Sequence, residues 1–103
     1  MTKETDKAKE TTWYLYMVED ERSRLYTGIS TDVERRFREH CDTYNGVAGA
    51  KGAKFFRSSQ PLRVVYREAC GNRAEASRRE RALKALSSRK KRQLIAGTPV
   101  QEI

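Results

Sequence analysis

Side chains that handle protons and anionic oxygens crowd one short stretch of this chain. From Tyr26 it runs Tyr26-Thr27-Gly28-Ile29-Ser30-Thr31-Asp32-Val33-Glu34-Arg35-Arg36-Phe37-Arg38-Glu39-His40. A phenol, a guanidinium and an imidazole thus follow one another on what reads as a strand end, a capped turn and the first turns of an amphipathic helix. Ser30, Thr31 and Asp32 all suit an N-cap, because a short oxygen-bearing side chain can accept a bond from an otherwise unpaired N–H of the first turn. Val33, Phe37 and Cys41 recur every four positions, so a helix beginning near Asp32 buries that stripe. Arg36 and His40 share the spacing and lie on the stripe's flank. Their polar ends are expected to emerge together at the edge of the core, beside the strand that carries Tyr26.

That strand needs a neighbour. Trp13-Tyr14-Leu15-Tyr16-Met17-Val18 is aromatic and apolar, a charged turn runs from Glu19 to Arg24, and Leu25 to Ile29 forms the second arm of a hairpin. With Asp20-Glu21-Arg22 as the loop, Tyr16 is expected opposite Tyr26 and Tyr14 opposite Gly28, both phenols on one face. Two hydroxyls aimed at Arg36 and His40 would make a site; plain aromatic cross-strand packing would read the same way. The long segment from Asp42 to Pro61 holds Gly46, Gly49 and Gly52, then Lys51, Lys54 and Arg57 around Phe55-Phe56. Close backbone approach, phosphate neutralisation and ring stacking on an unpaired base would suit nucleic acid. The alternative is that the two phenylalanines pin the loop to the core.

Leu62 to Ala69 is a third strand, completing a small antiparallel sheet. A helix is expected from about Arg73 to Leu86, with Ala76, Glu80 and Leu83 in one narrow sector. A carboxylate on such a stripe requires a partner or a cation, so Glu80 is either half of a buried salt bridge or a metal ligand. Ser87-Ser88 then caps a basic helix, Arg89 to Ile95, closed by Gly97 and Pro99. Its Lys90 and Lys91 form either a solvated face or a phosphate-contact strip.

Composition narrows the partners. The 103 residues suit one domain, expected over 12–97, with a flexible charged tail over 1–11 and a short tail over 98–103. Twenty-two Lys and Arg against 14 Asp and Glu leave a charge of +8, which favours a polyanionic partner, nucleic acid above a lipid surface or an acidic protein. No run approaches the roughly 18 apolar residues of a membrane span, and the charged N-terminus lacks the apolar core of a secretory signal. Cys41 and Cys70 have no metal-ligand spacing and read as reduced core residues of a cytoplasmic protein. No repeat or low-complexity tract is present.

Tyr14-Leu15-Tyr16, then Tyr26-Thr27-Gly28, then Arg36 and His40, at these separations, resemble the GIY-YIG nuclease superfamily, most closely its small stand-alone bacterial YhbQ-like branch. The resemblance runs from Trp13 to about Ile95 and takes in Asp32 to Phe37, Gly52-Ala53-Lys54-Phe55 and Glu80-Arg81-Ala82-Leu83-Lys84. The first motif keeps only its final tyrosine, and Thr27 replaces an isoleucine in the second. The resemblance implies an α+β fold, a small three-stranded antiparallel sheet flanked by helices. It implies Tyr16 and Tyr26 as the motif tyrosines, Arg36 as the catalytic arginine, His40 as a further site residue and Glu80 as ligand of one Mg²⁺ or Mn²⁺. The implied activity is metal-dependent hydrolysis of DNA phosphodiesters, directed by structure rather than sequence, in DNA repair or processing. RNA is a second candidate substrate, and a separate protein could supply targeting. A tyrosine could be the general base only if Arg36, the metal or the other phenol favours its phenolate, or if His40 relays the proton. The reading from another class is a nucleic-acid-binding accessory protein that keeps the fold without the activity.

Overall fold

Aromatic and β-branched residues build three strands, and three capped helices cover them, in a computed structural model that describes residues 11–97. The tail expected over 1–11 falls outside the described residues except for Thr11, and the tail expected over 98–103, with Pro99, lies wholly outside them. The strands are β1 (Trp13–Asp20), β2 (Leu25–Ser30) and β3 (Pro61–Cys70), and the helices α1 (Val33–Tyr44), α2 (Arg73–Lys84) and α3 (Ser88–Ile95). Strand order is β2-β1-β3, antiparallel throughout. The expected α+β architecture is therefore the observed one.

The central position of β1 follows from its composition. Leu15, Tyr16, Met17 and Val18 are all buried, which only a strand covered on both faces allows. Alternation sends Tyr16 and Val18 to one side with Val33 of α1 and Phe56. Leu15 and Met17 go to the other, with Leu83 of α2 and with Leu94 and Ile95 of α3. Arg79 forks onto Glu68 of β3 at 2.6 and 3.0 Å and fixes the rotation of α2. Each helix starts on an oxygen-bearing cap: Asp32, Asn72 and Ser87 accept from the N–H groups of Arg35, Glu75 and Lys90.

The hairpin differs in register from expectation. Tyr16 stands opposite Gly28 and Val18 opposite Tyr26, because the loop begins one residue later than the sequence suggests. The Asp20 carboxylate, fully buried, accepts from the N–H of Arg22 (3.0 Å) and Arg24 (2.7 Å), Arg24 Nε (2.9 Å) and Ser59 Oγ (2.8 Å). Ser23 takes the left-handed conformation at φ 62°, as in a three-residue hairpin loop that ends on a left-handed residue. A shift of two positions preserves side-chain parity, so the two tyrosines still share a face.

The segment from Asp42 to Pro61 is not a free loop. A 3-10 helix, Lys54–Arg57, drives Phe56 into the core with no exposed surface. Phe55 is half-buried against Tyr26 at 5.5 Å between ring centres, with the Arg24 guanidinium over its ring, 4.6 Å from the centre. The phenylalanines thus pin the segment, and Phe56 offers no surface to a base. Cys41 and Cys70, expected in the core, are free thiols that are only half-buried.

Candidate active site

Tyr16 from β1, Tyr26 from β2 and His40 from α1 meet on the α1 face of the sheet. Their ring centres are 6.4 Å (Tyr16–Tyr26), 6.1 Å (Tyr16–His40) and 5.2 Å (Tyr26–His40) apart. The cluster needs the glycine of the second motif: a methyl on Gly28 would lie 2.7 Å from Tyr16 Oη and 2.9 Å from Cζ. The Tyr16 ring therefore rests directly on the β2 backbone. Expectation placed His40 at the edge of the core, whereas it is fully buried; Arg36, one helical turn earlier, keeps a side chain 27 % exposed.

The hydrogen bonds settle what the imidazole does. Ala53 N–H donates to His40 Nδ1 at 3.1 Å, so that nitrogen carries the lone pair, and in the neutral ring Nε2 carries the hydrogen. His40 Nε2–H therefore donates to Tyr16 Oη, 2.9 Å away. In this arrangement neither ring nitrogen is free to accept a proton from Tyr16, which weighs against a relay through His40 among the routes to a phenolate. His40 instead steadies the Tyr16 oxygen, leaving the phenol's own proton to point elsewhere.

A short backbone strap does this positioning. Arg36 Nη1 donates to Lys51 O at 2.8 Å and to Glu39 Oε1 at 2.7 Å, while Ala53 N–H holds the imidazole. Between them Gly52 lies against α1 so closely that a methyl there would sit 2.5 Å from Glu39 O and 2.6 Å from His40 Cα. Gly52 thus serves backbone approach to a helix, not to a ligand. The strap is not legible in the sequence because main-chain donors and acceptors leave no side-chain signature; the one signal is Gly52 itself, set between Lys51 and Lys54.

Electrostatics follow from burial. The Tyr16 phenol is pushed well above the ordinary tyrosine range, first by burial and next by the neighbouring Tyr26, with Glu80 adding to the rise; the positive charge of Arg36 pulls the other way. Burial, helped by Arg36, pushes His40 down to about 4, so the ring is neutral at physiological pH. Burial opposes the charge on Arg36, but the bond to Glu39 and the two phenols outweigh it and its pKa rises. Glu39 is lowered chiefly by that same bond.

Glu80 is not the buried carboxylate expected from its stripe. Ala76 and Leu83 are buried, but the Glu80 side chain is 24 % exposed and pairs with Lys84 at 3.0 Å. It borders a small cleft of about 250 Å³ shared with Ser77, Arg81 and Lys84. It reaches Tyr16 by its field rather than by contact. Among the predicted nucleic-acid contacts, Lys51, Lys54 and Arg57 are exposed on the segment beside the site. Lys90 and Lys91 belong to α3, which packs on the opposite face of the sheet, so the structure does not bring them to the tyrosines. Thr27, the departure in the second motif, also points away from the site: it is buried, and its hydroxyl has no partner among the described residues.

A sheet of this order with two tyrosines, an arginine and a histidine on one face defines a class, and comparison with known proteins gives it a name. Residues 12–93 match the GIY-YIG catalytic domain, and the chain belongs to that family. It is 49 % identical over 88 residues to the UPF0213 protein PA3854 of Pseudomonas aeruginosa, covering 85 % of this chain and 78 % of that one. It is 40 % identical over 86 residues to the UPF0213 protein YhbQ of Escherichia coli, covering 84 % and 79 %. The solution NMR structure of the UPF0213 protein BH0048 from Bacillus halodurans is 35 % identical, covering 82 % and 83 %, with a TM-score of 0.49. Among the described residues no helix is long and apolar enough to cross a membrane.

Proposed function

We propose that this chain is a metal-dependent endonuclease that hydrolyses DNA phosphodiesters according to DNA structure. The observation that carries the reading is the convergence of Tyr16, Tyr26, His40 and Arg36 on one face of a GIY-YIG domain. Arg36 holds Glu39 and Lys51 O through Nη1 and also acts on the Tyr16 hydroxyl, so its part-exposed guanidinium stands where it can meet a phosphate oxygen and offset charge that grows there during attack. Once its own proton has passed to solvent, a tyrosine phenolate takes a proton from a water as that water attacks phosphorus; the P–O bond to the leaving oxygen breaks, and that oxygen takes up a proton from solvent. Tyr16 is steadied for this by His40 and drawn toward phenolate by Arg36, against the pull of burial.

Among the described residues no three carboxylate, thiol or imidazole groups cluster to hold a metal, so a divalent ion would rest on Glu80 alone, with water and phosphate oxygens completing its shell. Glu80 is one half-open carboxylate beside a cleft with room for water, which suits Mg²⁺ with its preference for few protein ligands. Its bond to Lys84 is an i,i+4 surface pair worth only about 0.3–0.5 kcal/mol, so a cation or phosphate displaces it readily. When bound at Glu80, such an ion would supply Lewis-acid stabilisation of the leaving oxygen and reverse the sign of the field that Glu80 exerts on Tyr16.

The raised pKa of Tyr16 favours a second reading, a binding protein that keeps the fold without cleaving. Incubation with supercoiled, single-stranded, flapped and branched DNA, and with RNA, in Mg²⁺, Mn²⁺ or EDTA separates the two. Metal-dependent cleavage of at least one substrate supports the nuclease. Binding retained with every substrate intact establishes the second reading. A role in DNA processing, with targeting supplied by another protein, fits a chain whose described residues form one domain.

A further inference from the structure

Beside the tyrosine cluster, where β2 ends and α1 begins, a cleft of about 340 Å³ opens between Trp13, Ser30, Thr31, Arg35, Arg36 and Arg73. β2 is an edge strand, so helices from the two faces of the sheet approach each other there: α1 contributes Arg35 and Arg36, and α2 contributes Arg73. Glu39, the one carboxylate lining the cleft, is already engaged by Arg36 at 2.7 Å and Arg35 at 3.6 Å. The cleft therefore keeps a surplus of positive charge. Arg73 carries its guanidinium over the Trp13 indole, 5.5 Å from the ring centre, and Trp13 is only half-buried. Flat cation, flat ring and three arginines against one carboxylate together recognise a flat aromatic group that carries phosphate.

Resting on the nuclease reading, we propose that this cleft is a subsite for one unpaired nucleotide next to the scissile phosphate, its base added to the Trp13–Arg73 stack and its phosphate held by Arg35 and Arg73. Arg36 belongs to both the cleft and the tyrosine cluster, so the nucleotide held here directly adjoins the bond under attack. A base inside a duplex has both faces covered by its neighbours and cannot join the stack. The subsite thus selects strands that are single at the point of cutting, such as overhangs, flaps or free single strands, and it gives a chain with one small domain a means of choosing substrate by structure. None of these three residues, Trp13, Arg35 or Arg73, stands out by spacing, because the chain brings them together only on folding.

The protein contains one tryptophan, so its fluorescence reports this cleft alone. Full-length protein in EDTA is titrated with dT8, with rU8 and with a blunt hairpin duplex, while labelled copies of each give binding by anisotropy. The subsite predicts quenching of Trp13 that follows the binding curve for dT8, rU8 or both, and little quenching by bound duplex; the stronger arm tells which sugar is preferred. Arg73→Gln is expected to weaken single-strand binding by about tenfold and duplex binding far less, and Trp13→Phe, which keeps a stacking face and the fold, to weaken it less than Trp13→Ala. Bound dT8 and rU8 that leave the fluorescence unchanged, or equal losses for single strand and duplex in Arg73→Gln, would overturn the subsite. Quenching without cleavage of any substrate would remove the nuclease reading and leave the subsite standing, and cleavage without quenching would do the reverse.

Discussion

The imidazole of His40 is the most constrained side chain in the site, with no exposed surface, one nitrogen held by Ala53 N–H and the other on Tyr16 Oη. A consequence is measurable without any substrate. The unfolded imidazole titrates near 6.5 and the folded one at about 4. Between those values the unfolded chain binds the extra proton, so stability is full above pH 6.5 and falls as the pH drops toward 4, by on the order of 3 kcal/mol. Urea melts at pH 7.5 and 4.5 should show a larger loss for the wild type than for His40→Gln, which has nothing to protonate there; equal losses would contradict the buried neutral ring. The residue types of the site were legible in the sequence, since spacing alone placed Tyr26, Arg36 and His40 together. Their protonation was not. It depends on a backbone N–H thirteen positions further along the chain, which only the fold delivers.

Among the elements, the strand and helix set follows from composition and capping. The detail that escaped is where main-chain groups act. Expectation ended the first strand before Asp20 because a carboxylate reads as loop, whereas four hydrogen bonds bury it and carry the hairpin one residue further. Likewise the segment Lys51–Ala53 reads as a flexible ligand-binding loop but serves to hold Arg36 and His40. Gly52→Ala tests this. The added methyl must push the strap off α1, since two of its three nearest atoms belong to the helix backbone. Cleavage is expected to fall by about tenfold or more, as even small misplacement of reacting groups is costly. The signals of the single histidine should meanwhile lose the pure Nε2–H tautomer in ¹⁵N NMR. Unchanged cleavage with an unchanged ring spectrum would show the strap to be incidental.

At the scale of the whole molecule, the candidate DNA-contact cations lie on two faces, Lys51, Lys54 and Arg57 beside the tyrosines and Lys90 and Lys91 on α3 across the sheet. If Lys51, Lys54 and Arg57 meet phosphate, Ala at each should lower the salt dependence of DNA binding by about one unit per contact, whatever the sequence. Ala at Lys90 and Lys91, on the opposite face, should leave the slope nearly unchanged; the reverse pattern would place the DNA on the α3 side. The family resemblance is legible across nearly the whole chain, but the degree of burial of Glu80 is not. Its stripe predicted a core position, and the helix instead turns the carboxylate to the border of a cleft beside Lys84. That geometry makes Glu80→Gln informative, because a neutral amide of the same shape breaks only a weak surface pair and should leave the fold intact. The decisive measurement is the single-turnover rate at which wild type and Glu80→Gln cut a labelled DNA in Mg²⁺, with an EDTA control and matched thermal melts. The account predicts cutting by the wild type only with metal, and a loss of about a hundredfold or more in the variant at similar stability. Cutting by Glu80→Gln at the wild-type rate, or in EDTA, would contradict it.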